Sequence, residues 1–165
     1  MKIEDTIGNY NLFLDRIFLN LEKSGIGQDD ISELDHIAFR TETPDRYEDI
    51  KNELLGFVEF NSEENFNGRL ISVLKLKEPL IYKEYMINCI ELMAPKENNQ
   101  HKEGLEHAEF VVNKKLDEFL AKYDNIDFNM STYERDENRE LIIDYKDCAI
   151  KFHEQSLLEI RGLKV

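Results

Sequence analysis

A chain of 165 residues is long enough for one domain with a sizeable core, or for two small modules that share one. Its formal net charge of −14 works against a nucleic-acid partner, which needs a basic surface, and against docking on anionic membranes. No apolar run approaches the roughly 20 residues of a membrane helix, and "MKIEDTIGNYN" lacks the apolar core of a signal peptide, so the cytoplasm is the expected compartment.

Residues 5–25 space Ile7, Leu12, Phe13, Ile17, Phe18 and Leu21 at helical intervals and end on Gly25, which predicts an amphipathic N-terminal helix within residues 1–27. "LDHIAFRT" reads as a strand. "TPDRYEDIKNELLG" reads as a helix with Thr43 as its N-cap, Pro44 at its first position and Gly56 as its stop. Three strand-like runs follow: "FVEFNSEEN", "GRLISVLKLKEPL" and "YMINCIELMAP". The polar stretch 96–104 reads as a linker, with a solvated His101. After it come a strand, "LEHAEFVV", and a helix, "NKKLDEFLAKYDN", with Asn113 as a candidate cap. Three strand candidates close the chain: "DFNMSTYE", "RELIIDYK" and "CAIKFHE". Cys89 and Cys148 lie in apolar runs without CxxC spacing and read as buried free thiols.

The order strand, helix, three strands thus occurs twice, over 34–95 and 105–160, within a single domain spanning 1–165. Each copy opens on one version of a repeated phrase, "LDHIAF" and "LEHAEF", with His36 and His107 at matched positions. Strand side chains alternate, so His36, Ala38 and Arg40 share one face, as do His107, Glu109 and Val111. The opposite faces, Ile37 with Phe39 and Ala108 with Phe110, are apolar and suit packing under helices. Two such modules paired about a pseudo-twofold axis can bring the two imidazoles together. A carboxylate from another strand would complete a two-His, one-carboxylate set for a divalent ion: Zn, Ni, Mn or Fe.

"LDHIAFR", "FNGRLISVLKL", "HKEGLEHAEF" and "IKFHEQSLLEI", in this order, resemble the YecM family, part of the vicinal oxygen chelate superfamily of glyoxalases, bleomycin-resistance proteins and extradiol dioxygenases. The resemblance covers Leu34 to Ile160. It implies an α+β fold in which two paired βαβββ modules form an open, cup-shaped mixed sheet, preceded here by the N-terminal helix. It further implies a metal held by His36, Glu91 and His107. The family's fourth ligand position falls near Lys151, whose ammonium has no lone pair, which leaves that position to His153, Glu109 or water.

Glu109 can act as a ligand, as the catalytic acid–base group or as an acceptor for an imidazole N–H, and the second module is expected to supply the acid–base chemistry through it. Arg40 and Arg69 are candidate anchors for a substrate carboxylate or phosphate, and Lys151 and His153 are further cavity candidates. The expected activity is metal-dependent isomerase, lyase or dioxygenase chemistry on a small oxygen-rich molecule. A non-catalytic cup that sequesters a small molecule and a protein-interaction domain are the other readings. Both modules lie on one chain, so a monomer can complete the site, and a homodimer by module exchange stays open.

Overall fold

The computed structural model describes residues 2–97, 101–135 and 137–163, so part of the expected linker lies outside the described residues. The N-terminal segment forms two helices, α1 (Glu4–Ile7) and α2 (Tyr10–Ser24), where the sequence pattern predicts one. The break comes at Gly8, at φ 82°, after which the Asn9 side chain accepts a hydrogen bond from the Leu12 amide and starts a new helix. Gly25 ends α2 in the left-handed region at φ 79°. Phe13, Leu14, Ile17, Phe18 and Leu21 face the core, whereas Leu12, placed on that face by its spacing, is 62% exposed. At about 3.6 residues per turn Leu12 falls well off the face shared by Tyr10, Leu14, Ile17, Phe18 and Leu21, and Leu14 takes the inward position.

β1 (Ile31–Arg40) is followed by α3 (Pro44–Leu54), which Thr43 caps by accepting from the Arg46 amide. β2 (Val58–Phe66), β3 (Arg69–Tyr82) and β4 (Tyr85–Met93) complete the first module as expected. β2 and β3 are joined at Asn67-Gly68, both at positive φ, the signature of a tight hairpin turn. The second module consists of β5 (Gly104–Val112), α4 (Leu116–Lys122), β6 (Leu141–Asp144), β7 (Ala149–His153) and a short α5 (Leu157–Ile160).

Three further local expectations differ from the structure. Gly56 is not the stop of α3, which ends at Leu54 and continues as a 3-10 turn over Leu55–Phe57. "DFNMSTYE" forms no full strand and leaves one bridge, Asn129 to Ile142. Asn129 accepts from the Ser131 amide and donates to the Asp144 carboxylate, and this Asx-type turn diverts the chain from the sheet. Asn113 does not cap α4: its amide donates to the Asp29 carbonyl, and the Leu116 amide donates to Glu154 at 2.9 Å instead.

The seven strands form one open sheet in the order β2-β3-β4-β1-β5-β7-β6. β1 and β5, which carry the repeated phrases, lie side by side and antiparallel at its centre, and each pairs in parallel with the last long strand of its own module. The helical side carries the main core, where Ile37, Phe110, Phe119 and Phe152 pack with α2 and α3. Both cysteines are free and buried. Among the described residues no helix is long and apolar enough to cross a membrane.

Burial assigns Leu14 and Leu12 opposite energetic roles. Leu14→Ala should cost about 2–5 kcal/mol in urea unfolding, and Leu12→Ala should stay within about 0.5 kcal/mol of the parent. Equal costs for the two would contradict the helix phase described here.

Candidate metal centre

The cup face of the sheet is organised in two rows. In one, Ala38 on β1 is flanked by Glu91 on β4 and by His107 on β5. In the next, His36 on β1 lies between Cys89 and Glu109, and Glu109 is paired in turn with Lys151 on β7. Glu91 and His107 are therefore separated by a whole strand, about 9–10 Å at the backbone. Ala38 carries only a methyl group, too small to block the gap. The Glu91 carboxylate and the His107 ring lean over it until Oε2 and Nε2 are 3.3 Å apart.

Glu109 completes the cluster. Its Oε1 lies 3.2 Å from His107 Nε2 and 3.6 Å from His36 Nε2. One donor atom from each of His36, Glu91, His107 and Glu109 falls within 4.8 Å of all the others. The Nε2 atoms of His36, His107 and His153 are buried and make no well-directed hydrogen bond, their nearest polar neighbours being carboxylate oxygens at 3.2–3.6 Å. Two imidazoles and two carboxylates are a donor set that suits a borderline divalent ion, and the Nε2 atoms of His36 and His107 converge with the carboxylate oxygens where their lone pairs would be used. The residues present therefore fit a metal.

Each His is oriented by the acid that precedes it in the repeated phrase. Adjacent strand residues normally face opposite sides of the sheet, yet Asp35 Oδ2 lies 2.8 Å from His36 Nδ1, and Glu106 Oε1 lies 3.3 Å from His107 Nδ1. The β1–β5 register explains this: it slips by one residue between Leu34 and His36 on β1, and on β5 Glu106 is the unmatched residue between Leu105 and His107. Both acids sit in irregularities of the ladder that turn them toward their own neighbour's ring. Nδ1–H donated to a carboxylate leaves Nε2 as the free nitrogen. Asp35 also accepts from the Leu157 amide at 2.8 Å, which ties α5 over the cup. Glu106 in turn is held by Arg40, with Nη2 at 2.6 Å.

Without a metal, these charges act on one another. Burial alone would lower the pKa of His36, but Glu109 and Asp35 outweigh it and hold the imidazole well above its ordinary value. His107 behaves likewise: burial and Lys151 oppose its charge, Glu106, Glu109 and Glu91 favour it, and the balance pushes it up to about 9. Burial would raise Glu109, but Lys151 and the two His hold it well below the carboxylate range. Glu106 is lowered to about 2 against its burial, by His107 and Arg40. Glu140 is raised by burial and by Glu109.

A cavity of about 360 Å³ opens over this cluster, and its walls include His36, Glu91, Glu109, Lys151 and His153. Lys151 Nζ lies 3.1 Å from Glu109 and 3.7 Å from Glu140. His153 contacts Asp35 at 3.3 Å and Glu109 at 3.6 Å. Arg69 lies in the cavity wall, but Arg40 does not, being committed to Glu106. A larger, shallower groove of about 1120 Å³ runs past Leu12, Arg16, Leu19 and Tyr145, but no group of metal-ligand side chains converges there among the described residues.

The structure thus brings together His36, Glu91, His107, Glu109, Lys151 and His153 from among the residues singled out in the sequence. It adds Asp35, Glu106 and Glu140, which sequence reasoning passed over. The first two were legible as the acids of "LDH" and "LEH", since both repeats keep an acid before the His. The lid helix α5 had a signal too: Ser156 and Glu159 form a capping box in "SLLE".

Comparison with known proteins supports the fold. No curated protein matches the chain by sequence. A solved structure described as "Structural Genomics, Protein EC4020" superposes with a TM-score of 0.79 at 23% identity, over 100% of this chain and 97% of that one. A Bacillus subtilis subsp. subtilis structure named "putative dioxygenase" gives a TM-score of 0.47 at 8% identity, over 78% of this chain and 42% of that one, too partial a likeness to carry an argument about chemistry. The YecM protein family matches residues 2–161, essentially the whole chain, and the protein belongs to that family.

Proposed function

We propose that the protein is a cytoplasmic, divalent-metal-dependent enzyme that acts on a small oxygen-rich substrate in its cup. The observation that carries this reading is the convergence of the buried Nε2 atoms of His36 and His107 with the carboxylates of Glu91 and Glu109 on one point. His36, Glu91 and His107 would hold the metal, with Glu109 as the fourth donor. When bound, the ion supplies Lewis-acid polarisation of two substrate oxygens and stabilises enolate-like charge. This chemistry is shared by isomerases, lyases and dioxygenases.

The chain's own groups divide the remaining work. Asp35 and Glu106 fix the His tautomers and ring angles. Lys151 balances the negative charge of Glu109 and Glu140. Glu109, when not fully engaged as a donor, is the carboxylate best placed to take a proton from substrate. Glu140, with its raised pKa and its contact to Lys151, is placed to relay that proton to the cavity mouth. The lid helix α5, tied to Asp35, keeps water from the inner end of the cup.

Metal analysis of the purified protein tests the reading. About one divalent ion per chain is expected, retained or restored after chelation by Mn, Fe, Ni or Zn, and lost in His107→Ala without unfolding. No stoichiometric uptake, or uptake unchanged in His107→Ala, would sink the assignment. Turnover of dicarbonyls, catechols or hydroxy acids by the loaded protein is the further expectation; binding without turnover over that panel would instead identify a sequestering cup.

The Glu106–His107 contact gives a second test. Glu106→Gln should weaken metal affinity by roughly 10–100-fold while leaving the ligand set intact, measured by competition with a chelator. An unchanged affinity would show that Glu106 does not position the ring.

The third test is pH. The pKa of His107 rises from 6.5 to about 9 on folding without metal, so its protonated ring stabilises the metal-free fold below pH 6.5, and this contribution is lost as the pH climbs through about 9. A metal needs the same nitrogen deprotonated, so its affinity should increase over that window. Chemical denaturation of metal-free and metal-loaded protein across this range should give opposite slopes. Parallel slopes would rule out His107 as the linked group.

A further inference from the structure

The cavity wall carries positive charge that the metal cluster does not use. Of its cationic side chains, Lys151 holds Glu109 and Glu140, Arg161 holds Glu64, and Arg135 lies over the Phe66 ring at 5.6 Å. Arg69 and Lys96 have no hydrogen bond or ion pair among the described residues, and Arg69 Nη1 is buried with no partner. This is a chain with 35 Asp and Glu against 21 Lys and Arg, in which carboxylates are the commonest available partner. A buried guanidinium donor left unmatched is costly, the more so for a charged group. Neighbouring charge compounds the mismatch: burial and Arg40 disfavour the charged form of Arg69, and burial, Arg69 and Arg40 that of Lys96.

The position of this pair relative to the donor cluster has a definite scale. Val73 is opposite Glu91, and Arg69 lies four residues further along β3, about 13 Å at the backbone. Between the two lies a small apolar patch, Ala38, Ile71 and Met93, which is separate from the main core and faces the cup. The cavity therefore has oxygen-binding chemistry at one end, an apolar middle and, at the other end, a buried guanidinium nitrogen without a partner beside the exposed Lys96.

We propose that the substrate has two ends: paired oxygens directed at His36, Glu91, His107 and Glu109, and a terminal oxyanion, carboxylate or phosphate, bound by Arg69 and Lys96, with a short apolar span across Ile71 and Met93. This rests on the metal-centred reading above for its first end only. The terminal oxyanion supplies the acceptors that Arg69 Nη1 lacks, in the forked geometry that guanidinium groups match best. Arg69 then sets substrate length and charge, while the metal cluster sets the reacting end.

The experiment is calorimetric titration of the metal-loaded, full-length protein, since the chain has no Trp to report binding. The probes are 2-oxo acids of graded chain length in three arms, ending in a methyl group, a carboxylate or a phosphate. At the best-fitting length, an oxyanion-ended acid should bind about tenfold or more tightly than its methyl-ended counterpart. The carboxylate and phosphate arms identify which oxyanion the site takes. Arg69→Ala should abolish the preference, leaving metal content and the methyl-ended affinity unchanged, and Arg69→Lys should keep part of it. In the parent protein the preference should shrink as salt is raised, a readout that needs no variant. Equal affinity for the three arms, including no heat from any of them, overturns the proposal, as does a preference that survives in Arg69→Ala. Metal content, measured on the same samples, separates failure of this proposal from failure of the metal-centred reading.

Discussion

Everything in the cup depends on the antiparallel pairing of β1 with β5 at the centre of the sheet. That pairing sets His36 opposite Glu109 and Ala38 opposite His107, so each module contributes one imidazole within reach of the other module's residues. It also contains the two ladder irregularities at Asp35 and Glu106, without which the acid before each His would point to the helical side. A strand pair held by main-chain hydrogen bonds on both flanks is stiff, which matters because donors for a metal or a substrate must be held to a fraction of an ångström.

The electrostatics follow from this crowding. Five carboxylates, Asp35, Glu91, Glu106, Glu109 and Glu140, are drawn into one largely buried region together with His36, His107, His153 and Lys151. Desolvation works against every charge in it, and the arrangement persists because each negative group has a cation beside it. Without a metal, protonated imidazoles provide part of that cation charge, which is why the His pKa values are high. Lys151 provides the rest. Its pKa is pushed further up by Glu109, Glu140 and Glu91 despite burial, so it acts as a fixed positive charge. It is no donor to a metal.

Much of the fold was legible because its signals are local. The Thr43-Pro44 start of α3, the apolar stripe of α2 and the alternating strands of the first module each reflect a few consecutive residues. The misreadings also have local causes that only tertiary contact reveals. Asn113 looked like a helix cap, but its side chain is taken by Asp29 across the chain, and Glu154 caps α4 from another element. "DFNMSTYE" alternates well enough for a strand, yet the Asn129 side chain turns the backbone before a ladder can form. Arg40 shares the face of His36 in sequence, but a carboxylate one strand away engages it.

The sequence by itself determined the two-module plan, the place of the repeated phrases at the opening of each module and the identity of the residues on the cup face, because strand periodicity and a duplicated motif are properties of neighbouring positions. It also carried the acid–His doublets, whose meaning depends on a register slip that no pattern of residue types displays. What only the tertiary structure decided was convergence: that Glu91 crosses over Ala38 to meet His107, that Glu109 stands between both imidazoles and Lys151, and that Arg69 and Lys96 have no hydrogen bond or ion pair among the described residues. These depend on strand order and register across the sheet. Both are set by long-range packing and main-chain pairing, between residues that lie tens of positions apart in the chain.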